Sequence, residues 1–171
     1  MGGLGLGNTL PVIEVGQQAP AFRAPSSKGQ TLESEAFGDR VAIVLFFLDS
    51  LDQADDRLEL AAFDELLVEF GHRRVQVLGV VTATARELRD ATESLAVPVL
   101  ADENGTMRAE FGGLDLLPFT VIIDRHNTVV SVLQRRDSAH PQEVLQAVDA
   151  LQSAEPEAMR VQSATNGGEA T

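Results

Sequence analysis

Apolar residues along this chain recur with two periods. Val41 to Leu48 is apolar at every position, the pattern of a strand covered on both faces. Val75 to Val81 has the same character, with Gln76 as its one polar residue. Between them, Leu60, Phe63, Leu67 and Phe70, with Leu66 alongside, predict a helix over about 53–70. Gly71 is its expected stop. Thr84-Ala85-Arg86-Glu87 is a capping box that opens a second helix with core positions Leu88, Ala91, Thr92 and Leu95. Val97 to Ala101 predicts a third strand, and 106–111 a short helix ending at Gly112-Gly113. Phe119 to Asp124 and Thr128 to Gln134 form a hairpin around Arg125-His126-Asn127, where Asn127 can take the left-handed conformation. Pro141 suits the first turn of a last helix, whose core stripe is Val144 or Leu145, Val148 and Leu151. Upstream, Pro20 to Ala24 and Thr31-Leu32 are short extended pieces joined by the turn Ser26-Ser27-Lys28-Gly29. The order βαβαβα followed by ββα predicts an α/β sandwich on a mixed sheet.

Composition narrows this picture. A chain of 171 residues with 44% hydrophobic content fits one domain. Residues 13–152 carry the periodic pattern. Residues 1–12 and 153–171 are poor in large apolar side chains and are expected to be flexible tails. Met1 to Thr9 lacks the basic flank and apolar core of a signal peptide. No apolar run approaches the ~20 residues that cross a bilayer, so a cytoplasmic location without a membrane partner is expected. A net charge of −13 argues against nucleic acid as a partner. The basic pairs Arg73-Arg74 and Arg135-Arg136 read as solvated loop or strand-edge charges.

The chain contains no cysteine. Disulfides, iron–sulfur clusters and thiol catalysis are therefore excluded. Where the first long strand feeds the first long helix, the sequence reads Asp49-Ser50-Leu51-Asp52-Gln53-Ala54-Asp55-Asp56. Asp is a favoured N-cap, and acids in a first turn gain from the helix dipole. Asp52 as N-cap with Asp55 three residues on approximates a capping box. Four carboxylates within eight residues also suggest a site for Ca²⁺ or Mg²⁺, but no calcium-loop spacing is present and a helix start favours anions. His72, His126 and His140 lie in separate predicted loops without partners at metal-ligand spacing. Ser50 has no nearby His and no nucleophile elbow. The glycines of 2–7 follow no strand, so they are not a phosphate-binding fingerprint. No cofactor or metal is expected.

Four stretches resemble the redoxin group of thioredoxin-fold proteins, which includes the peroxiredoxins of the alkyl hydroperoxide reductase and thiol-specific antioxidant family. They are Val15-Gly16-Gln17-Gln18-Ala19-Pro20-Ala21-Phe22 with Lys28-Gly29-Gln30-Thr31-Leu32, then strand 41–48, then Val97 to Gly105 with Phe111-Gly112, and finally Leu116 to Arg125. The resemblance spans about 13–151 in order. It implies a thioredoxin-like three-layer α/β/α sandwich with a mixed central sheet and an N-terminal β-hairpin, and a cis bond before Pro118. It places Asp52 and Asp55 on the two positions of the thioredoxin C-x-x-C, or of the peroxiredoxin T-x-x-C. Leu48 stands where a proline would precede the site, Leu51 where thioredoxins have Trp, and no equivalent of the catalytic Arg is evident before the final hairpin.

Peroxidase activity and disulfide exchange require a thiolate, so neither carries over. The expected role is a redox-inactive binding or scaffold module whose surface includes Asp52, Asp55, Leu117, Pro118 and Phe119, with a protein partner or a second copy as ligand. An extended peptide could add to an exposed Leu116-Leu117-Pro118 edge, and the acidic helix start would favour a basic partner. The alternatives are a carboxylate- or metal-dependent enzyme on the same scaffold, and a subunit of a complex whose other chain carries the catalysis.

Overall fold

The computed structural model describes residues 13–112 and 117–153. The predicted tails and the Leu116 end of the predicted edge lie outside the described residues. An N-terminal hairpin pairs β1 (Arg23–Pro25) antiparallel with β2 (Thr31–Glu33), and a 3-10 turn, Ser34–Phe37, follows. Then come β3 (Ala42–Phe47), α1 (Ala54–Glu65), α2 (Leu67–His72), β4 (Val75–Val81), α3 (Ala85–Ala91), β5 (Val99–Ala101), α4 (Thr106–Glu110), β6 (Phe119–Ile123) and β7 (Val129–Gln134). A last helix, α5, covers 140–153. The sheet order is β5-β4-β3-β6-β7. β3, β4 and β5 are parallel, and β6 runs antiparallel to both β3 and β7.

β3 is central because its apolar run serves two layers. Ile43, Leu45 and Phe47 join one core with Phe22 of the hairpin region, Met107 of α4, Phe111 and Phe119. Val44, Phe46 and Leu48 join the other, against Leu60 and Phe63 of α1, Phe70 of α2, Leu88 of α3 and Val144 and Val148 of α5. Gly79 faces the Phe46 ring so closely that a Cβ there would meet Cζ at 2.8 Å. Both outer strands are tied to the N-terminal segment. Ser27 N–H donates to Val99 O at 2.8 Å, and Gly16 N–H donates to Val129 O at 2.8 Å.

Several boundaries differ from the sequence expectation for visible reasons. The helix predicted over 53–70 is broken at Leu66 (φ −93°, ψ 3°), whose N–H is shared between the Ala62 and Phe63 carbonyls. Gly71 does not stop it: α2 continues to His72, and the chain turns at Arg74 with φ 56°. Thr84 and Glu87 form the predicted capping box, but Ala91 is exposed. Asn127 has φ 62°, as its turn position requires. The Leu117–Pro118 bond is cis.

Candidate functional site

The loop between β3 and α1 is organised by Asp56, not by Asp52. Asp56 sits in the first turn of α1 and is fully buried. Its Oδ2 accepts the backbone N–H groups of Asp49 and Ser50, each at 2.9 Å. The loop thereby folds back onto the helix it feeds. Ser50 Oγ accepts from Asp52 N–H at 3.1 Å, and Gln53 Nε2 donates to Asp49 Oδ2 at 2.8 Å. The N-cap is Gln53 and makes no side-chain cap bond. The expected Asp52 N-cap and its Asp52–Asp55 capping box are thus absent: the helix begins one residue later, after Gln53, and the carboxylate that fixes the loop is Asp56. Asp52 and Asp55 are both exposed.

Beneath this loop lies a cluster of buried polar side chains. Arg135, just after β7, places Nη1 2.8 Å from Asp56 Oδ1, 3.1 Å from Glu59 Oε1 and 3.2 Å from the Asp55 carbonyl. The Asp56 contact is an ion pair lacking hydrogen-bond alignment, since Oδ1 has no directed donor. Glu59 Oε2 also lacks a partner. Two buried carboxylates thus share one guanidinium. Burial pushes the Glu59 carboxyl up to about 7, against the opposing pull of Arg135. Beside them His140, fully buried at the start of α5, makes a 2.7 Å bond between Nε2 and Thr120 Oγ1. Its ring meets Phe63 edge-on. Burial, with the Arg135 charge, lowers it to about 4.

A groove of about 570 Å³ opens over this cluster. Its walls are the outer face of α1 (Asp55, Leu58, Ala62 and Glu65), then Pro118 and the 135–141 segment, and Glu59 and Arg135 also line it. Leu58 is 65% exposed. Of the residues expected at a binding surface, Asp55 and Pro118 reach this groove. Asp52 lies instead beside a second hollow with Ser50, Thr82 and Glu87. Leu117 is half-buried and packs against the core. Phe119 is fully buried, stacks on Phe47 at 4.6 Å and pairs through its backbone with both β3 and β7. It presents no surface. The Pro118 carbonyl accepts from Arg135 N–H at 3.2 Å, so that carbonyl is engaged by the residue after β7.

Comparison with known proteins agrees with this architecture. The model of the AhpC/TSA family matches residues 15–132. The chain belongs to the AhpC/TSA family. Among solved structures, peroxidoxin BcpB from Mycobacterium tuberculosis is 25% identical with a TM-score of 0.73, covering 81% of this chain and 97% of that one. AhpC from Mycobacterium bovis is also 25% identical, with a TM-score of 0.72 and coverage of 84% and 95%. A yeast mitochondrial 1-Cys peroxiredoxin, 19% identical, superposes with a TM-score of 0.76 over 86% and 80% of the two chains. No curated protein matches the sequence. The fold is thioredoxin-like, and this is a cysteine-less member of its family.

Sequence reading missed Asp56, Glu59, Arg135 and His140 as a unit. One signal was present: Asp56 and Glu59 share the helical face of Leu60 and Phe63, at the spacing of core positions. Arg135 was expected to be solvated, yet its side chain is only 14% exposed because it answers those two acids. His140 was expected in a loop. It instead occupies the first position of α5, ahead of Pro141, where Thr120 of β6 faces it. Among the described residues, no three His, Asp or Glu side chains are placed to hold a metal ion. No described helix is long and apolar enough to cross a membrane.

Proposed function

We propose that this peroxiredoxin-type chain works without thiol chemistry as a cytoplasmic protein-binding module, and that its partner docks in the groove between α1 and the 135–141 segment. The observation that carries this reading is the pairing of an open groove with a closed ion cluster beneath it. Asp56 is committed to two backbone amides and a guanidinium, so it serves as a fixed strut and not as a nucleophile. The groove above offers an apolar wall at Leu58 and Pro118 within a charged rim, the composition of a binding surface. Asp52 lies outside this surface.

The test is capture of a partner on the purified chain, followed by reassembly from purified components. Leu58→Asp alters the groove wall, whereas Val68→Asp alters an equally exposed position on α2. A stoichiometric complex that survives Val68→Asp and is lost with Leu58→Asp supports the reading. A complex indifferent to both overturns it. A second reading, a carboxylate-dependent enzyme, is favoured by one observation: Glu59 titrates near 7, where an acid–base catalyst is most effective. A pH–rate profile abolished by Glu59→Gln would select that reading.

A further inference from the structure

Glu59 is 4% exposed, yet its Oε2 has no hydrogen-bond partner. A buried, unpaired carboxylate oxygen costs free energy that a suitable donor would recover. The one cation in the cluster is already engaged, since Arg135 Nη1 serves Asp56, Glu59 Oε1 and the Asp55 carbonyl together. The groove that exposes this floor carries Asp55, Glu65 and Asp137 at its margins against Arg136 alone. Acidic residues therefore outnumber basic ones both in the recess and around it. The walls are apolar at Leu58 and Pro118.

We propose that the groove binds a basic side chain, lysine or arginine, flanked by apolar residues of an extended protein segment, and that Glu59 Oε2 is its anchor. This rests on the reading of the groove as a protein-binding site and names the chemistry of the partner. A long flexible stem can lie along the apolar wall while its charged head reaches a recessed carboxylate. An anionic segment would meet the same margin with repulsion. A neutral donor would satisfy Oε2 but leave the excess charge uncompensated.

Glu59 binds its own proton near neutrality, so a cation must displace that proton. Affinity should accordingly strengthen as pH rises from about 6 to about 8. The charged groups acting on Glu59 are Asp56 from α1 and Arg135 after β7; His140 of α5, which feels the same Arg135 and is lowered to about 4, is neutral throughout this range.

The experiment titrates the full-length, isotope-labelled chain with three capped peptides: acetyl-Leu-Arg-Leu-amide, acetyl-Leu-Lys-Leu-amide and acetyl-Leu-Gln-Leu-amide. Amide shifts across 55–65 and 135–141 report occupancy of the groove. The expected result is a preference of about tenfold or more for the cationic peptides, equivalent to ~1.4 kcal/mol, growing with pH. Glu59→Gln should abolish both the preference and its pH dependence. Thermal unfolding of that variant checks that it folds, and Glu65→Gln at the margin should reduce the preference only slightly. Equal binding of all three peptides in the groove would overturn the cationic anchor while leaving the docking groove in place. Binding of none of them would overturn the anchor and count against the groove itself.

Discussion

On one face of the sheet Phe47 stacks on Phe119 at 4.6 Å and leans on Phe111, within a cluster of apolar side chains. On the other, Phe46 stacks on Phe63 at 4.2 Å in the same manner, but this layer abuts Asp56, Glu59, Arg135 and His140. Adjacent residues of a single strand thus serve one layer in which the rings pack within an apolar cluster and one in which packing encloses an ion cluster. Packing tolerates any pH. Enclosed charge makes stability depend on protonation and on the survival of every partner.

The largest effects should come from breaking each layer in its own way. Phe47→Ala removes a buried ring and should cost roughly 3–5 kcal/mol in denaturant unfolding at every pH. Arg135→Met keeps the volume but leaves two carboxylates without a counter-charge, and should cost roughly 3–5 kcal/mol at pH 8. The loss should shrink in acid, where Glu59 can be neutralised. A pH-independent cost for Arg135→Met would mean that enclosed charge does not govern the second layer.

Next in size are two opposed pH slopes. The Glu59 carboxyl is raised from 4.5 to about 7, so the folded state binds its proton more tightly. Its stabilising contribution is complete below 4.5 and lost as pH rises through about 7. His140 is lowered from 6.5 to about 4, so its contribution is complete above 6.5 and lost as pH falls through about 4. Between about 4.5 and 6.5 the two oppose each other, and the native chain should show a nearly level stability profile. Glu59→Gln should tilt that profile upward with pH and His140→Gln downward, each by up to about 1.4 kcal/mol per pH unit. Equilibrium unfolding across this range reads both, whereas Phe47→Ala should shift the profile without tilting it.

The smallest contrast concerns the acidic loop. Asp56→Ala orphans the Asp49 and Ser50 amides and should cost roughly 1–3 kcal/mol. Asp52→Ala, at an exposed position without a capping bond, should change stability by less than about 0.5 kcal/mol. Comparable costs for the two would restore Asp52 as the cap.

The fold was largely legible because its signals are local and repetitive. The uninterrupted apolar run at β3, the Thr84–Glu87 box and the Asn127 turn each state their structure within a few residues. The site was less legible because charge clusters form across the chain. Asp56 and Arg135 meet from distant parts of the sequence, and neither residue type announces burial. The local option, Asp52 as N-cap, is not used, since α1 begins after Gln53 and the loop is anchored on Asp56. Asp56 takes the Asp49 and Ser50 amides and is buried against Arg135, which arrives from beyond β7. Phe119 failed as a surface residue for a related reason, since β6 is an interior strand and not an edge.

The ties between the N-terminal segment and the two outer strands impose an order on biosynthesis. Ser27 Oγ accepts from Val99 N–H across 72 residues, and the Ala19 carbonyl accepts from Asn127 across 108. The 16–27 segment emerges from the ribosome before these partners, and those of Gly16 and Ala19 are made more than a hundred residues later. Contacts of such long range slow folding. The hairpin, marginal on its own, should therefore stay open to chaperones and proteases until β5 is synthesised, and the 16–19 segment until β7 is.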